Sequence, residues 1–217
     1  FHYSDIGFIV LGTLVEKFTG QPLDTYAQDN IFTPLGMTDT RYLPAAKACG
    51  PHRIIGNAIA VDAPPSDPAE CPDGTWSTDL LERIAPTARD EDTPGINPDF
   101  DRSLRSTVHD PTARRMGGVA GSAGVFSTVH DLGRYAQALL DRLAGRPSTF
   151  PLTQSTLQLM TTPQQPGHNA GQLEAANSAV REAIATAPNT SDPLLAPNYP
   201  AINGQDLRGF GWDIDTA

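Results

Sequence analysis

Residues 6–18 form a nearly unbroken apolar run, opened by Ser4-Asp5 and closed by Gly20. Such a run has one low-energy local answer, an α-helix capped by Ser4 or Asp5 and stopped at Gly20. Ile6, Ile9, Val10, Leu14 and Phe18 supply its apolar positions, and Gly7 and Gly12 leave room for a neighbour to approach. The run predicts a buried helix. Tyr3 then stands just outside its N-terminus, where the helix dipole favours negative charge. That placement lowers the cost of ionising a phenol whose ordinary pKa is about 10. The plainer reading of Tyr3 is a core aromatic with its hydroxyl satisfied, and local sequence alone leaves both open.

Beyond Gly20, Pro22 fits the start of a second helix reaching to about Ile31, and Pro34-Leu35-Gly36 reads as a turn that returns Met37 to the core. Periodicity fades over 45–79, apart from a short helical turn capped by Thr78 or Asp79, and again over 83–110. Loops this long in a compact domain line a cleft or wrap a neighbouring surface. Residues 116–128 are dense in glycine, which means unusual backbone conformations or close contacts. A strong helix follows, with Thr128 and Asp131 at capping-box spacing. Its apolar stripe is Leu132, Tyr135, Ala136, Leu139, Leu140 and Leu143. Thr153 opens a short helix through Leu157 and Met160, residues 172–187 read as an Ala-rich surface helix, and 209–215 alternate like a strand.

Several of these stretches carry a resemblance. Tyr3-Ser4-Asp5, Leu11-Gly12, Glu16, Thr19-Gly20, Tyr26, Ile31-Phe32 and Pro34-Leu35-Gly36-Met37 resemble, in order, the penicillin-recognising, β-lactamase-related serine hydrolases. The series continues through Arg83-Ile84-Ala85-Pro86-Thr87, Val108-His109-Asp110, Gly117-Gly118-Val119-Ala120-Gly121, Gly124-Val125-Phe126-Ser127-Thr128, Asp131-Leu132 and Gly211-Trp212-Asp213. The resemblance implies an α+β, β-lactamase/transpeptidase-like domain, represented mainly by its helical region, its cleft loops and the start of a sheet strand. Residues 1–217 read as part of such a domain, an internal fragment with insertions at 45–79 and 167–205.

The implied chemistry is attack on an ester or amide carbonyl through an acyl-enzyme, with a β-lactam, a D-Ala-D-Ala peptide or a simple ester as acyl donor. Tyr3 matches the family's proton-shuttling tyrosine. Asp5 stands where the family most often has Asn, and a carboxylate accepts hydrogen bonds without donating them. Gly121 and Ser122 fall in the glycine-rich segment that borders the family's cleft, where relatives often carry His in place of Ser122. A small residue tolerated in a tight turn is the plainer account of Ser122. The family also implies export, and in an exported protein Cys49 and Cys71 would pair across a Pro-rich segment. In a cytoplasmic protein they would be free thiols.

Some expected parts are missing. Lysine occurs only at Lys17 and Lys47, with Leu14 and Pro44 three residues before them, so the chain has no Ser-x-x-Lys. It also lacks the Lys/His-Thr-Gly element. This leaves a non-catalytic peptidoglycan-binding or sensor relative as a second reading. A third is an unrelated hydrolase using Ser122, because Ala120-Gly121-Ser122-Ala123-Gly124 approximates Gly-x-Ser-x-Gly. That elbow requires strand, sharp turn and helix.

His109-Asp110 and His130-Asp131 offer a metal or acid–base pair but read more simply as loop contacts and caps. Arg114-Arg115 offers an anion contact at the cleft but reads more simply as a solvated pair, and Trp76 and Trp212 read as packing residues. No metal or other cofactor is called for. The formal net charge of −10 over 217 residues argues against a nucleic-acid partner, and no stretch is long and apolar enough to span a bilayer. The partner expected is a small-molecule or peptidoglycan-like substrate.

Overall fold

A computed structural model describes residues 4–52, 54–55, 58–59, 71–91, 93–97, 100–164, 178, 182 and 208–212. Helix α1 (Asp5–Thr19) forms as expected. Ser4 is its N-cap and accepts from the Gly7 N–H, while Gly20 ends it at φ 71°, a left-handed conformation that glycine adopts without penalty. Its surroundings differ from expectation. Only Gly12 is buried, and Ile6 and Phe18 are 71% and 81% exposed. With Val10, Leu11 and Leu14 they form one bare apolar flank, an arc of about 140° on a helix of 3.6 residues per turn. Of the five predicted apolar positions, Ile9 packs against a core and the other four lie on the bare flank, so the expected burial of this helix is not met.

Helix α2 (Leu23–Ala27) follows Pro22, which is its N-cap, not a first-turn residue, and runs on into a wider π-turn at Gln28–Phe32. The Glu16 carboxylate accepts from the Leu23 N–H at 3.0 Å and ties α2 back to α1. The turn at Gly36 (φ 68°) brings Leu35 and Met37 into the core.

The loop regions are stitched by two-residue ladders too short to be seen as alternation. The strands are β1 (Arg41–Tyr42), β2 (Ala48–Cys49), β3 (Ile54–Ile55), β4 (Ala58–Ile59), β5 (Trp76–Ser77), β6 (Ala88–Arg89) and β7 (Ser103–Leu104). β2 and β5 pair in parallel, whereas β3–β4 and β6–β7 are antiparallel. A 3-10 turn at Thr78–Glu82 is capped by Ser77, one residue before the expected caps. Helix α3 (Pro111–Arg115) is capped by Asp110, whose carboxylate accepts from the Ala113 N–H at 2.6 Å. Strand β8 (Val125–Phe126) then pairs antiparallel with β1.

Helix α4 (Val129–Leu143) has the expected Thr128 cap, with the Asp131 N–H donating to Thr128 Oγ1. Of its predicted stripe, Leu139 is buried and Tyr135 meets Phe150 edge-on at 5.3 Å, but Leu132 and Leu140 are exposed. Helix α5 (Gln154–Met160) starts at the Thr153 cap as expected.

The chain divides into two compact units. In the larger, His2–Leu139 with Thr149–Pro151, Leu43, Ile59 and Trp76 form one small core, with Leu80, Leu81, Ile84 and Phe126 packed against it. Val108, Ala113 and Ala120 form a second, joined by Ile9 and Ala123. Trp76 is therefore a packing residue, with its indole N–H on the Pro44 carbonyl at 2.9 Å. The other unit holds Leu140–Ser148 and the chain from Leu152 on. There Leu157 is buried and Gln154 donates to the Leu143 carbonyl.

Residues 209–212 form a turn, closed by Gly209 N–H to Trp212 carbonyl at 3.0 Å with Gly211 at φ 77°, where a strand was expected. Residues 213–215 lie outside the described set, as does the Ala-rich stretch 172–187 apart from Ser178 and Glu182, both helical. Among the described residues no helix is long and apolar enough to cross a membrane.

Cys49 and Cys71 form a disulfide, with Cα atoms 5.6 Å apart. It sits beside the β2–β5 ladder, where Cys49 is paired with Ser77. Closing a separation of 22 residues contributes about 3 kcal/mol by restricting the unfolded chain. Denaturant unfolding with and without a thiol reductant should therefore differ by about that amount.

Candidate active-site wall

The first turns of α1 and the glycine-rich turn at 120–124 are built against each other. A Cβ on Gly12 would lie 3.1 Å from the Gly121 nitrogen and 3.2 Å from its Cα. A Cβ on Gly121 would run into the Phe8 carbonyl. Two glycines thus let a helix and a turn touch backbone to backbone. Gly7, by contrast, faces open space apart from Ser4 at 4.0 Å. Gly121→Ala is expected to destabilise the fold by about 1–3 kcal/mol through overpacking. Gly7→Ala should stabilise it by about 0.5–1 kcal/mol, because alanine is the better helix former. Chemical denaturation of the two variants checks both signs.

The turn is held from below by β1. The Tyr42 hydroxyl donates to the Ala120 carbonyl at 3.2 Å, and the Tyr42 ring packs against Gly124. Burial, reinforced by the nearby Asp24 carboxylate, pushes the Tyr42 phenol above its ordinary range. Tyr42 therefore stays neutral and acts as a strut. Nothing in the sequence marked it out.

Of the sequence-predicted site residues, Tyr3 lies outside the described set, directly before the N-cap Ser4. Asp5 is the first residue of α1 and is exposed. Gly121 touches α1 as described above. Ser122 is half-buried, and its Oγ is fully buried with no hydrogen-bond partner among the described residues. The turn leads into β8, not into a helix. A nucleophile elbow needs an exposed Oγ at a strand-to-helix turn, so the geometry does not support Ser122 as a nucleophile.

A buried polar cluster ties α4 to the segment before β1. Asp131 is almost wholly buried and accepts from the Asp39 N–H at 2.8 Å and from Thr40 Oγ1 at 2.9 Å. Thr40 Oγ1 also meets Ser127 Oγ at 2.7 Å. Asp131 thus joins two distant segments as well as standing in its own helix cap. Asp39 in turn receives Arg83 Nη1 at 3.0 Å. That hydrogen bond, with the charges of Arg83, Arg41 and His130, outweighs partial desolvation and holds the Asp39 carboxyl below the usual carboxylate range.

Arg114 corrects the reading of a solvated arginine pair. Its side chain is 4% exposed and meets Asp90, itself 3% exposed, at 2.9 Å. Asn97 donates to the same Asp90 oxygen. Arg115 is exposed. His109 is exposed and Asp110 caps α3. Among the described residues no group of three or more His, Cys, Asp or Glu is placed to hold a metal ion.

The beta-lactamase family profile matches residues 1–179. The chain belongs to the beta-lactamase family. It is 31% identical over 140 residues to an Escherichia coli protein named "Putative D-alanyl-D-alanine carboxypeptidase", covering 64% of this chain and 26% of that one. It is 32% identical over 164 residues to the N-acetylmuramyl-L-alanine amidase of Bacillus subtilis, covering 74% and 31%. Among solved structures, D-amino acid amidase from Ochrobactrum anthropi overlaps at a TM-score of 0.41 with 20% identity, covering 79% of this chain and 35% of that one. The family assignment stands without that overlap. The chain spans about a third or less of the length of the two curated relatives. Its helices and small sheets are those of an α+β member of this beta-lactamase family.

Proposed function

We propose that this beta-lactamase-family chain is part of a serine hydrolase that opens an amide or ester carbonyl through an acyl-enzyme, with Tyr3 as proton shuttle. One observation carries the reading: Tyr3 immediately precedes the N-cap of a helix whose first turns are packed, glycine on glycine, against the turn that borders the family's cleft. The serine and lysine of the nucleophile pair come from sequence beyond these 217 residues, which contain no Ser-x-x-Lys.

In this mechanism the Tyr3 phenolate takes the proton of the attacking serine and delivers it to the leaving group. In deacylation it takes a proton from the attacking water and returns it to the serine oxygen as the acyl–serine bond breaks, which releases the acid and regenerates the phenolate. The dipole of the helix favours the phenolate at its N-terminus. Asp5 accepts hydrogen bonds from substrate or neighbouring groups. The relatives' names, a D-alanyl-D-alanine carboxypeptidase and an N-acetylmuramyl-L-alanine amidase, support a peptidoglycan-type amide as substrate. The Cys49–Cys71 bond supports an exported, oxidising location.

The test is to incubate the full-length protein side by side with a chromogenic cephalosporin, a nitrophenyl ester and a D-Ala-D-Ala peptide, and to follow turnover and intact mass. A covalent acyl adduct and turnover of at least one substrate are expected. Binding of the peptide without acylation by any of the three would replace this reading with the non-catalytic sensor.

A further inference from the structure

A cleft of about 350 Å³ lies between the segment around β1, the stretch from Leu80 to Thr87 and the end of β8. It shares no lining residue with α1 or with the turn at 120–124. Its floor is apolar. Leu43 is a buried core residue, and Leu80, Ile84 and Phe126 pack against the same core as Trp76. The floor is therefore the outer wall of a packed cluster, rigid before any ligand arrives, which reduces the cost of binding.

Polar atoms along the wall are already engaged. Thr87 Oγ1 donates to the carbonyls of Leu104 and Thr107, Ser127 Oγ meets Thr40, and Thr128 Oγ1 caps α4. Directional contacts are left to the rim, where Arg41, Arg83 and Asp39 stand. Among the described residues Arg83 uses one N–H donor on Asp39, and Arg41 one on the Thr38 carbonyl. A guanidinium carries five such donors. Two arginines and one aspartate leave one positive charge at the mouth, in a chain whose net charge is −10.

We propose that this cleft binds a medium-chain aliphatic monocarboxylate. The apolar floor takes the chain, and the Arg41–Arg83 rim takes the carboxylate. A single negative charge matches the rim, and the volume, at the small end for ligand sites, suits a chain of about six to eight carbons. A neutral alcohol of the same length leaves the arginine donors unmatched, and an amine meets like charge.

Octanoate, hexanoate, octanol and octylamine are titrated into the whole chain by calorimetry. Octanoate should bind saturably at 1:1, with a dissociation constant below about 1 mM. Hexanoate should bind roughly fifteenfold weaker, at about fourfold per methylene. Octanol and octylamine should bind at least about tenfold weaker than octanoate. Arg83→Gln breaks only an exposed ion pair, so it should fold normally and reduce octanoate to the level of octanol. Ile84→Trp should block the cleft, and Ala85→Trp, at an exposed lining position, gives the same block without touching the core. The proposal is overturned by no saturable octanoate binding up to about 10 mM, by equal affinity for octanoate and octanol, or by octanoate binding unchanged in folded Ala85→Trp.

Discussion

Under the proposed mechanism, replacing Tyr3 with Phe in the full-length protein is expected to lower turnover by about 10²–10⁴-fold, the usual contribution of a positioned general acid–base group. Only the hydroxyl is lost, and the ring that could fill a core position remains. The plain alternative, an aromatic plug, predicts nearly unchanged rates with at most a small loss of stability. The two readings separate in one experiment: kcat on the best substrate beside the urea unfolding midpoint. Loss of both acylation and deacylation rates in a protein with a normal midpoint supports the shuttle. Near-normal kcat would remove Tyr3 from the chemistry. The pH profile adds a second readout, because a phenolate acting as base is lost on protonation, so the wild-type rate should fall as pH is lowered and the Phe variant should lack that limb.

Asp90→Ala should be the most damaging single substitution for stability, at about 3–5 kcal/mol. Asp90 and Arg114 are both almost fully buried and meet at 2.9 Å. Asp90 also shapes the hairpin between β6 and β7, where its N–H donates to the Arg102 carbonyl and its own carbonyl accepts from Asp101. Removing the carboxylate strands a guanidinium inside the protein. One of its nitrogens, Nη1, already has no hydrogen-bond partner among the described residues. The double variant Asp90→Ala/Arg114→Met should recover part of the loss, because the stranded charge is gone and the apolar stem remains. Equilibrium unfolding of the wild type, both single variants and the double variant gives the coupling directly. A double variant as unstable as the sum of the singles would show that the charges are not coupled.

What the sequence disclosed is what local chemistry decides. The Ser4 and Gly20 ends of α1, the Thr128 cap of α4 and the Thr153 cap of α5 each depend on residues within a few positions. Contacts between distant segments left no such mark. β1 and β8 are two residues each and lie far apart in the chain, so no alternation announces their pairing. Arg114 beside Arg115 looked like a solvated pair because its partner sits on a separate hairpin. The glycine-rich block was legible as unusual backbone. That it presses on α1 follows from the tertiary meeting of Gly12 and Gly121. Family resemblance drew attention to Tyr3, Gly121 and Ser122, of which the structure describes the last two, but it did not reveal Tyr42 or the second task of Asp131.

The uncovered flank of α1 bears on the bench work. Ile6, Val10, Leu11, Leu14 and Phe18 line one flank of the helix along its whole length, a surface for weak, non-saturating adhesion of hydrophobic dyes and detergents. A fluorescent hydrophobic probe should brighten on the native protein, and Val10→Lys with Phe18→Glu should quench that signal. An octanoate titration done in this doubly charged background reports on the arginine-rimmed cleft without the greasy helix competing for the same reagent.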